Sequence, residues 1–135
     1  MIAVSALGKE GQYPPGTLSA SRLPQSPQAF GRDGLFAANF SCFGPEIDTT
    51  APGVGIIAPV PNRVSAQPLY GVMDGTSMAS PAACGALAAA LSRDASYLAM
   101  PRNFNRAAAA QAVLFTHLRS IRLASIREGR GMLSV

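Results

Sequence analysis

The sequence is short of several residue types, and each shortage excludes a class of protein. Of its 135 residues only 13% are charged, against about 25% in typical soluble domains, so disorder driven by charge is excluded. There is no tryptophan, and a core must therefore rely on Ala, Val, Leu, Ile and Met. The two cysteines, Cys42 and Cys84, cannot form a disulfide framework, nor a four-ligand zinc site without further ligands.

No signal for export or for membrane insertion is visible. The apolar residues 1–7 are too few for the hydrophobic region of a signal peptide and lack a basic segment before them, so localisation stays open. Residues 75–92 carry no charge, but they include serine, threonine, glycine and proline and only two leucines. A membrane span needs about 20 strongly apolar residues, so this stretch favours a helix buried within a globular domain, with no membrane partner.

The positive charge is concentrated in the second half of the chain. The net charge of the chain is +4. The segment from Arg93 onward contains seven arginines and only two acidic residues, Asp94 and Glu128. Such a segment could bind nucleic acid or an acidic partner. Its arginines, however, alternate irregularly with apolar residues and lack the aromatic side chains on which bases stack. We therefore expect a solvated or partner-facing helical surface and no nucleic acid.

The order of apolar runs and breaks predicts an α/β fold in a chain long enough for about one domain. Short apolar runs bounded by glycine or proline predict strands or short apolar elements, and alanine-rich stretches predict helices. The predicted strands or apolar elements are 1–7, 35–43, 47–52, 54–60, 69–73 and 132–135, and the predicted helices are 75–92 and 105–118. Residues 8–34 are expected to form loops. Phe36, Phe40 and Phe43 are expected to anchor the apolar element at 35–43.

The strongest local signal is the heptapeptide GTSMASP at residues 75–81, where an extended segment meets the alanine-rich helix. A serine at a helix N-terminus lies among unpaired N–H groups, which would stabilise an oxyanion forming beside its Oγ. Pro81 falls near the edge of the first turn, where its missing N–H costs least. The same residues also allow a simpler interpretation, in which Thr76 or Ser77 is only an N-cap.

The heptapeptide at 75–81 resembles the nucleophile-serine motif of the subtilisin-like serine proteases, the subtilase family. Four further segments extend the likeness. Residues 2–4 resemble a core strand of that domain, and residues 40–48 resemble its FSSxGPxxD stretch. Residues 51–54 resemble its APG turn, and residues 129–135 resemble the GxGxxN segment that closes the fold. Residues 8–34 and 93–128 match only loosely.

This resemblance implies a three-layer α/β fold, with helices on both faces of a mainly parallel sheet and the helix that begins at Ser77 running through its middle. It implies that residues 1–135 are the C-terminal portion of a peptidase S8-like catalytic domain. Ser77 would then be the nucleophile that attacks a peptide carbonyl, and the Ser77 N–H would be one oxyanion donor. The implied substrate is a peptide or protein.

The other members of the catalytic triad are not in the sequence. In this family Asp and His precede the serine, in a D-x-G and an HGTxVAG segment, and neither occurs in residues 1–74. His117, the single histidine, follows Ser77 and is expected to be a surface or helix-end residue. No asparagine replaces the oxyanion-hole residue of the family. We therefore expect a serine endopeptidase by family whose chain alone is inactive.

Two alternatives remain open at this stage. The chain could be a non-catalytic, protease-derived binding or assembly module, in which Ser77 is a relic. It could also be one half of a split protease, with a complementary chain supplying Asp and His. Asp74, where many relatives carry asparagine, would add negative charge near the oxyanion. Ala82, where a histidine is common, affects packing more than chemistry.

No cofactor is expected. Calcium is common in the family, but no site for it is identifiable in the sequence. Cys84 is expected to be a small buried residue, and Cys42 occupies a position that is usually small and polar. Neither cysteine is expected to serve metal or redox chemistry.

Overall fold

A computed structural model describes residues 1–61 and 69–133 of the chain. Within them lie seven strands and four α-helices. The strands are β1 (Val4–Lys9), β2 (Leu35–Ala37), β3 (Thr49–Pro52), β4 (Ile56–Pro59), β5 (Tyr70–Met73), β6 (Leu118–Arg119) and β7 (Met132–Leu133), and the helices are α1 (Thr76–Leu91), α2 (Ala95–Ala99), α3 (Phe104–His117) and α4 (Ser125–Glu128). Three 3₁₀ segments, Leu18–Arg22, Pro27–Ala29 and Arg32–Gly34, interrupt the long loop between β1 and β2.

The main sheet has the strand order β2-β1-β3-β7-β6, and its three central strands are parallel. Antiparallel strands flank them at both edges, and β4 pairs with β5 in a separate two-stranded sheet. The protein is thus α/β with a mainly parallel central sheet, as predicted. Parallel strands are usually covered on both faces, and four consecutive residues of β1 are buried accordingly.

Alternate residues of β1 face different layers. Ala6 belongs to a cluster with Ala79 and Ala83 of α1. Leu7 belongs to another cluster with Ala29 and Ile121. On the same side of the strand as Leu7, the Ser5 Oγ donates a hydrogen bond of 2.6 Å to the carbonyl of Arg127, a residue of α4. Because successive side chains of a strand point to opposite faces, the sheet lies between two helical layers. This arrangement places α1 on one face.

The last described strand, β7, pairs with β3, which lies in the first half of the chain. Thr50 is the register partner of Met132. The Thr49 Oγ donates to the Gly131 carbonyl at 2.8 Å, and the Thr50 N–H donates to the same carbonyl at 3.1 Å. Segments more than eighty residues apart in sequence therefore form the centre of the sheet.

Several predicted elements are longer or more buried than the observed ones. Of residues 35–43 only Leu35–Ala37 form a strand, and Phe43 is 59% exposed rather than a core anchor. The predicted strand at 132–135 is observed for Met132–Leu133, and residues 134 and 135 lie outside the described range. The helix predicted over 105–118 is confirmed as Phe104–His117.

The prediction that the alanine-rich helix is buried was wrong for most of its length. In α1 only Ala79, Ala83 and Leu91 are buried, and Cys84 is exposed, contrary to expectation. The helix packs mainly against β1 and β3 and also contacts α3 and β7, and the rest of its surface is exposed. None of the helices in the described ranges is both long enough and apolar enough to cross a bilayer.

Candidate active site

The corner between β5 and α1 sets the position of Ser77. The Gly75 N–H donates to the Gly53 carbonyl at 2.8 Å, while the Gly75 carbonyl accepts from the N–H groups of Met78 at 3.0 Å and Ala79 at 3.3 Å. A Cβ on Gly53 would lie 2.8 Å from the Gly75 oxygen, so the corner requires glycine at position 53. Backbone hydrogen bonds and close packing therefore hold the start of α1.

Ser77 is the second residue of α1 and is exposed. Gly75 is the N-cap, and no side chain caps the helix. The interpretation of Thr76 or Ser77 as N-cap is therefore wrong. Among the described residues, the Ser77 hydroxyl has no hydrogen-bond partner. The first N–H groups of a helix have no partner within the helix, so the Ser77 N–H is available to an anion beside the helix end.

The prediction that Pro81 falls near the edge of the first turn was wrong, because Pro81 is the sixth residue of α1 and lies inside the helix. Proline has no N–H, so the helical bond that would run back to the Ser77 carbonyl is absent. Ser77 thus contributes neither its N–H nor its C=O to the regular bonding pattern of the helix. Ala82, in place of the family's histidine, packs half-buried against the core cluster of Ala79 and Ala83.

Ser77 opens onto a shallow cleft of about 480 Å³. The cleft is lined by Ile2, Val4, Thr76, Ser77, Ser80 and Pro81. None of these is a histidine or a carboxylate, so the described residues bring no general base to the serine. The side chains that line the cleft therefore cannot remove the hydroxyl proton.

Asp74, just before the corner, is held by three hydrogen bonds. Its Oδ1 accepts from the Ser19 hydroxyl at 2.8 Å and from the Gly55 N–H at 2.7 Å, and its Oδ2 accepts from the Arg22 Nε at 3.1 Å. The Asp74 side chain is only 9% exposed. Ser19 and Arg22 both belong to the first 3₁₀ segment, which therefore buttresses the corner.

These contacts lower the pKa of Asp74. Burial alone would raise that pKa, but the hydrogen bonds from Gly55, Ser19 and Arg22, together with the positive charge of Arg22, outweigh it. The Asp74 carboxylate does not line the Ser77 cleft, and its negative charge is paired with the Arg22 guanidinium. Sequence reasoning missed Ser19 and Arg22, because an isolated arginine in a proline-rich loop carries no pattern that predicts its partner.

His117 ends α3 and is exposed, as the sequence predicted. Its Nδ1 lies 2.8 Å from the Val113 carbonyl and 3.1 Å from the Thr116 Oγ, both in the same helix. His117 does not line the Ser77 cleft. The structure therefore does not assemble this histidine with the serine.

The described residues contain no cluster of three or more His, Cys, Asp or Glu side chains that could hold a metal ion. Calcium prefers several oxygen ligands, usually with carboxylates among them. Both oxygens of the Asp74 carboxylate already accept hydrogen bonds from the protein. Cys42 and Cys84 are both free and exposed.

Comparison with known proteins gives a consistent assignment. The model of the subtilase family matches residues 1–123. Subtilisin NAT of Bacillus subtilis subsp. natto, subtilisin E of Bacillus subtilis strain 168 and subtilisin J of Geobacillus stearothermophilus are each 34% identical over 104 residues. The match covers 69% of this chain and 24% of each relative, so the chain spans about a quarter of the length of these relatives.

Proposed function

Because this chain belongs to the subtilase family, we propose that it is the nucleophile-bearing C-terminal portion of a serine endopeptidase catalytic domain. The observation that supports this proposal best is the position of Ser77. Its hydroxyl is exposed at the start of α1 beside an open cleft, and its N–H has no hydrogen-bond partner among the described residues. An acyl-transfer nucleophile needs both features in one place.

In the proposed reaction, the Ser77 Oγ attacks the carbonyl carbon of a peptide bond while its proton passes to a base. The carbonyl oxygen becomes an oxyanion, which accepts a hydrogen bond from the Ser77 N–H. The C–N bond then breaks, and the amine leaves with the proton from the base. Water hydrolyses the resulting ester and regenerates the serine. The substrate is accordingly a peptide or protein.

We propose that this chain alone is inactive, since it contains no D-x-G or HGTxVAG segment before Ser77. In a subtilisin, removing the base alone costs about as much as removing the triad, roughly 10⁶ in kcat. Loss of one side-chain oxyanion donor costs roughly a further 10² to 10³. The two losses together leave no useful turnover.

A complementary polypeptide is the partner that this proposal requires, and the surface beside Ser77 supports it. An apolar groove of about 170 Å³ shares Ile2, Val4 and Ser80 with the Ser77 cleft. The groove is lined by Ile2, Val4, Ser80, Ala83, Cys84, Leu87 and Leu114. We propose that the Asp- and His-bearing part of the fold covers this groove, which would explain the exposed apolar side of α1.

The test is complementation. The chain would be mixed or co-expressed with the segment of subtilisin E that precedes the aligned region and carries the two missing motifs. We expect a folded complex that hydrolyses a fluorogenic peptide and is labelled at Ser77 by a fluorophosphonate. The chain alone, and a complex carrying Ser77→Ala, should show neither activity.

Two outcomes would count against the proposal. A well-folded complex with no hydrolysis and no labelling would favour the non-catalytic binding module. Rapid stoichiometric acylation of Ser77 in the chain alone would contradict its predicted inactivity. Ser77→Ala should leave the stability of the chain unchanged, because the side chain is exposed and makes no hydrogen bond among the described residues.

A further inference from the structure

A second cavity, of about 510 Å³, shares no lining residue with the Ser77 cleft. We call it the Arg127 cavity. It is lined by Ser21, Leu23, Pro24, Gln25, Ser26, Ala29, Asn39, Ser41, Phe43 and Arg127. Its volume falls within the range of about 300 to 1,000 Å³ that is typical of ligand sites.

Hydrogen bonds hold the walls of the Arg127 cavity in place. The Asn39 Nδ2 donates to the Ser21 carbonyl at 2.8 Å, and the Asn39 N–H donates to the Arg22 carbonyl at 3.0 Å. The Ser41 Oγ accepts from the Ala6 N–H of β1 at 2.9 Å. These bonds join the segment after β2 to the first 3₁₀ segment and to β1. The cavity is therefore largely preformed.

Within residues 1–61 and 69–133, Arg127 is the only cationic residue that lines this cavity. Its Cζ lies 4.5 Å from the ring centroid of Phe43, which is 59% exposed. Over residues 1–61 and 69–133, its guanidinium has no ion-pair or hydrogen-bond partner. A guanidinium stacked on a ring keeps its in-plane N–H groups directed outward.

Among the described residues, neither Asp nor Glu lines the cavity, so none of their carboxylates competes for Arg127 there. The neighbouring residue Glu128 is buried, with 5% exposure. Its carboxylate instead accepts hydrogen bonds from the Ser120 hydroxyl at 2.6 Å and from the N–H groups of Ile121 at 2.8 Å and Leu123 at 3.3 Å. The positive charge of Arg127 is thus left for a ligand.

We infer that the Arg127 cavity binds a short peptide that carries a carboxylate group. A guanidinium presents a planar pair of donors that matches the two oxygens of a carboxylate. Phosphorylated ligands are typically held by clusters of arginines, and this cavity has one. Leu23, Pro24 and Phe43 provide apolar contacts for the side chains of the peptide. The inference does not depend on catalysis at Ser77.

The carboxylate could be the C-terminus of a peptide or an acidic side chain, and three peptides distinguish these sources. The first is N-acetylated alanyl-leucyl-alanine with a free C-terminus, the second is the same peptide amidated, and the third is the amidated peptide with glutamate in place of leucine. Each would be titrated into the full chain by calorimetry. We expect at least one charged peptide to bind about ten-fold more tightly than the neutral peptide.

Arg127→Gln should weaken binding of the charged peptide by about ten-fold, since it removes the charge and the paired donors. Arg130→Gln is the matched control, because Arg130 stacks over Phe115, 4.2 Å from its ring centroid, and does not line the cavity. Should Arg127→Gln fail to fold by circular dichroism, Phe43→Leu removes the platform but keeps the charge, and should weaken binding several-fold.

Three results would each overturn the inference. They are equal affinity for the charged and neutral peptides, undiminished binding to folded Arg127→Gln, and no binding of any of the three peptides at millimolar concentration. A free C-terminus as the preferred group would indicate recognition of chain ends. A preference for the glutamate peptide would indicate recognition of acidic segments.

Discussion

Arg22 and Asp74 form an ion pair, with the Arg22 Nε 3.1 Å from the Asp74 Oδ2, across 52 residues of sequence. The pair joins the first 3₁₀ segment to the residue that precedes the Gly75 corner. Arg22 also stacks over Phe40, with its Cζ 5.9 Å from the ring centroid. A loop that matches the family only loosely thereby supports the element that carries the proposed nucleophile.

Replacing Asp74 should show how much the buried acceptor contributes. Asp74→Ala leaves the Gly55 N–H and the Ser19 hydroxyl without their partner, which should lower the free energy of unfolding by about 1 to 3 kcal/mol. Asp74→Asn keeps one oxygen acceptor, so it should lower the free energy of unfolding by less than Asp74→Ala does. Urea unfolding measures both, and identical midpoints for Asp74→Ala and the unmodified chain would show that these bonds contribute nothing.

The stability of the protein should depend on the ionisation of Asp74. Its pKa is held below the usual 3.8, so the folded state binds this proton more weakly than the unfolded state. The contribution is therefore fully present above 3.8 and is lost as the pH falls through the lower pKa of the folded state. Unfolding free energies measured from about pH 6 down to about pH 2 should decline.

Asp74→Asn is the control for this pH dependence, because an amide does not titrate in this range. The decline in stability at low pH should be smaller in Asp74→Asn than in the unmodified chain. Parallel pH profiles for the two proteins would assign the decline to other carboxylates.

Two glycines of the Ser77 region should respond oppositely to alanine. In Gly53→Ala the new Cβ would lie 2.8 Å from the Ala6 Cβ and from the Gly75 oxygen. This overpacking should lower the free energy of unfolding by about 1 to 3 kcal/mol. Gly85 lies within α1, and a Cβ there would meet nothing within 4 Å. Gly85→Ala should therefore stabilise the protein by up to about 1 kcal/mol through helix propensity.

Thermal unfolding of the two glycine variants measures both effects. Gly85→Ala also controls for the general consequence of adding a methyl group. If Gly53→Ala were as stable as the unmodified chain, the close approach of Gly53 to the corner would be wrong.

The two cysteines report whether a partner covers the apolar groove. Both are exposed, but only Cys84 lines the groove. Each should react with iodoacetamide in the free chain, since thiol reactivity requires access. Binding of the complementary segment should slow alkylation of Cys84 by about ten-fold or more and leave Cys42 unchanged. Mass spectrometry of tryptic peptides distinguishes the sites, and equal slowing at both would place the partner elsewhere.

The sequence predicted those parts of the fold that depend on local patterns. The strand that includes Val4, the turn at Pro52 and Gly53, and both long helices follow from apolar runs, chain breakers and alanine content. The corner that carries Ser77 followed from a recognisable heptapeptide. What joins these elements did not follow, because long-range pairing has no local signature.

Two misjudged residues illustrate this limit. Cys84 was expected to be buried, since a small residue in an uncharged helix is usually inside. Phe43 was expected to anchor a core, yet it is exposed and serves as the platform for Arg127. Burial depends on what lies opposite a residue in space. The side of α1 that carries Cys84 faces an open groove, which Ile2, Val4 and Leu114 line without covering it.

The pairing of β3 with β7 also has a consequence for biosynthesis. The Thr49 hydroxyl finds its acceptor only when Gly131 has been made, 82 residues later. At about 5 to 20 residues per second, translation leaves an unfinished chain with an open strand edge for several seconds. During that interval β3 is available to other nascent chains and to chaperones, so the yield of native protein should depend on what shields this edge at the ribosome.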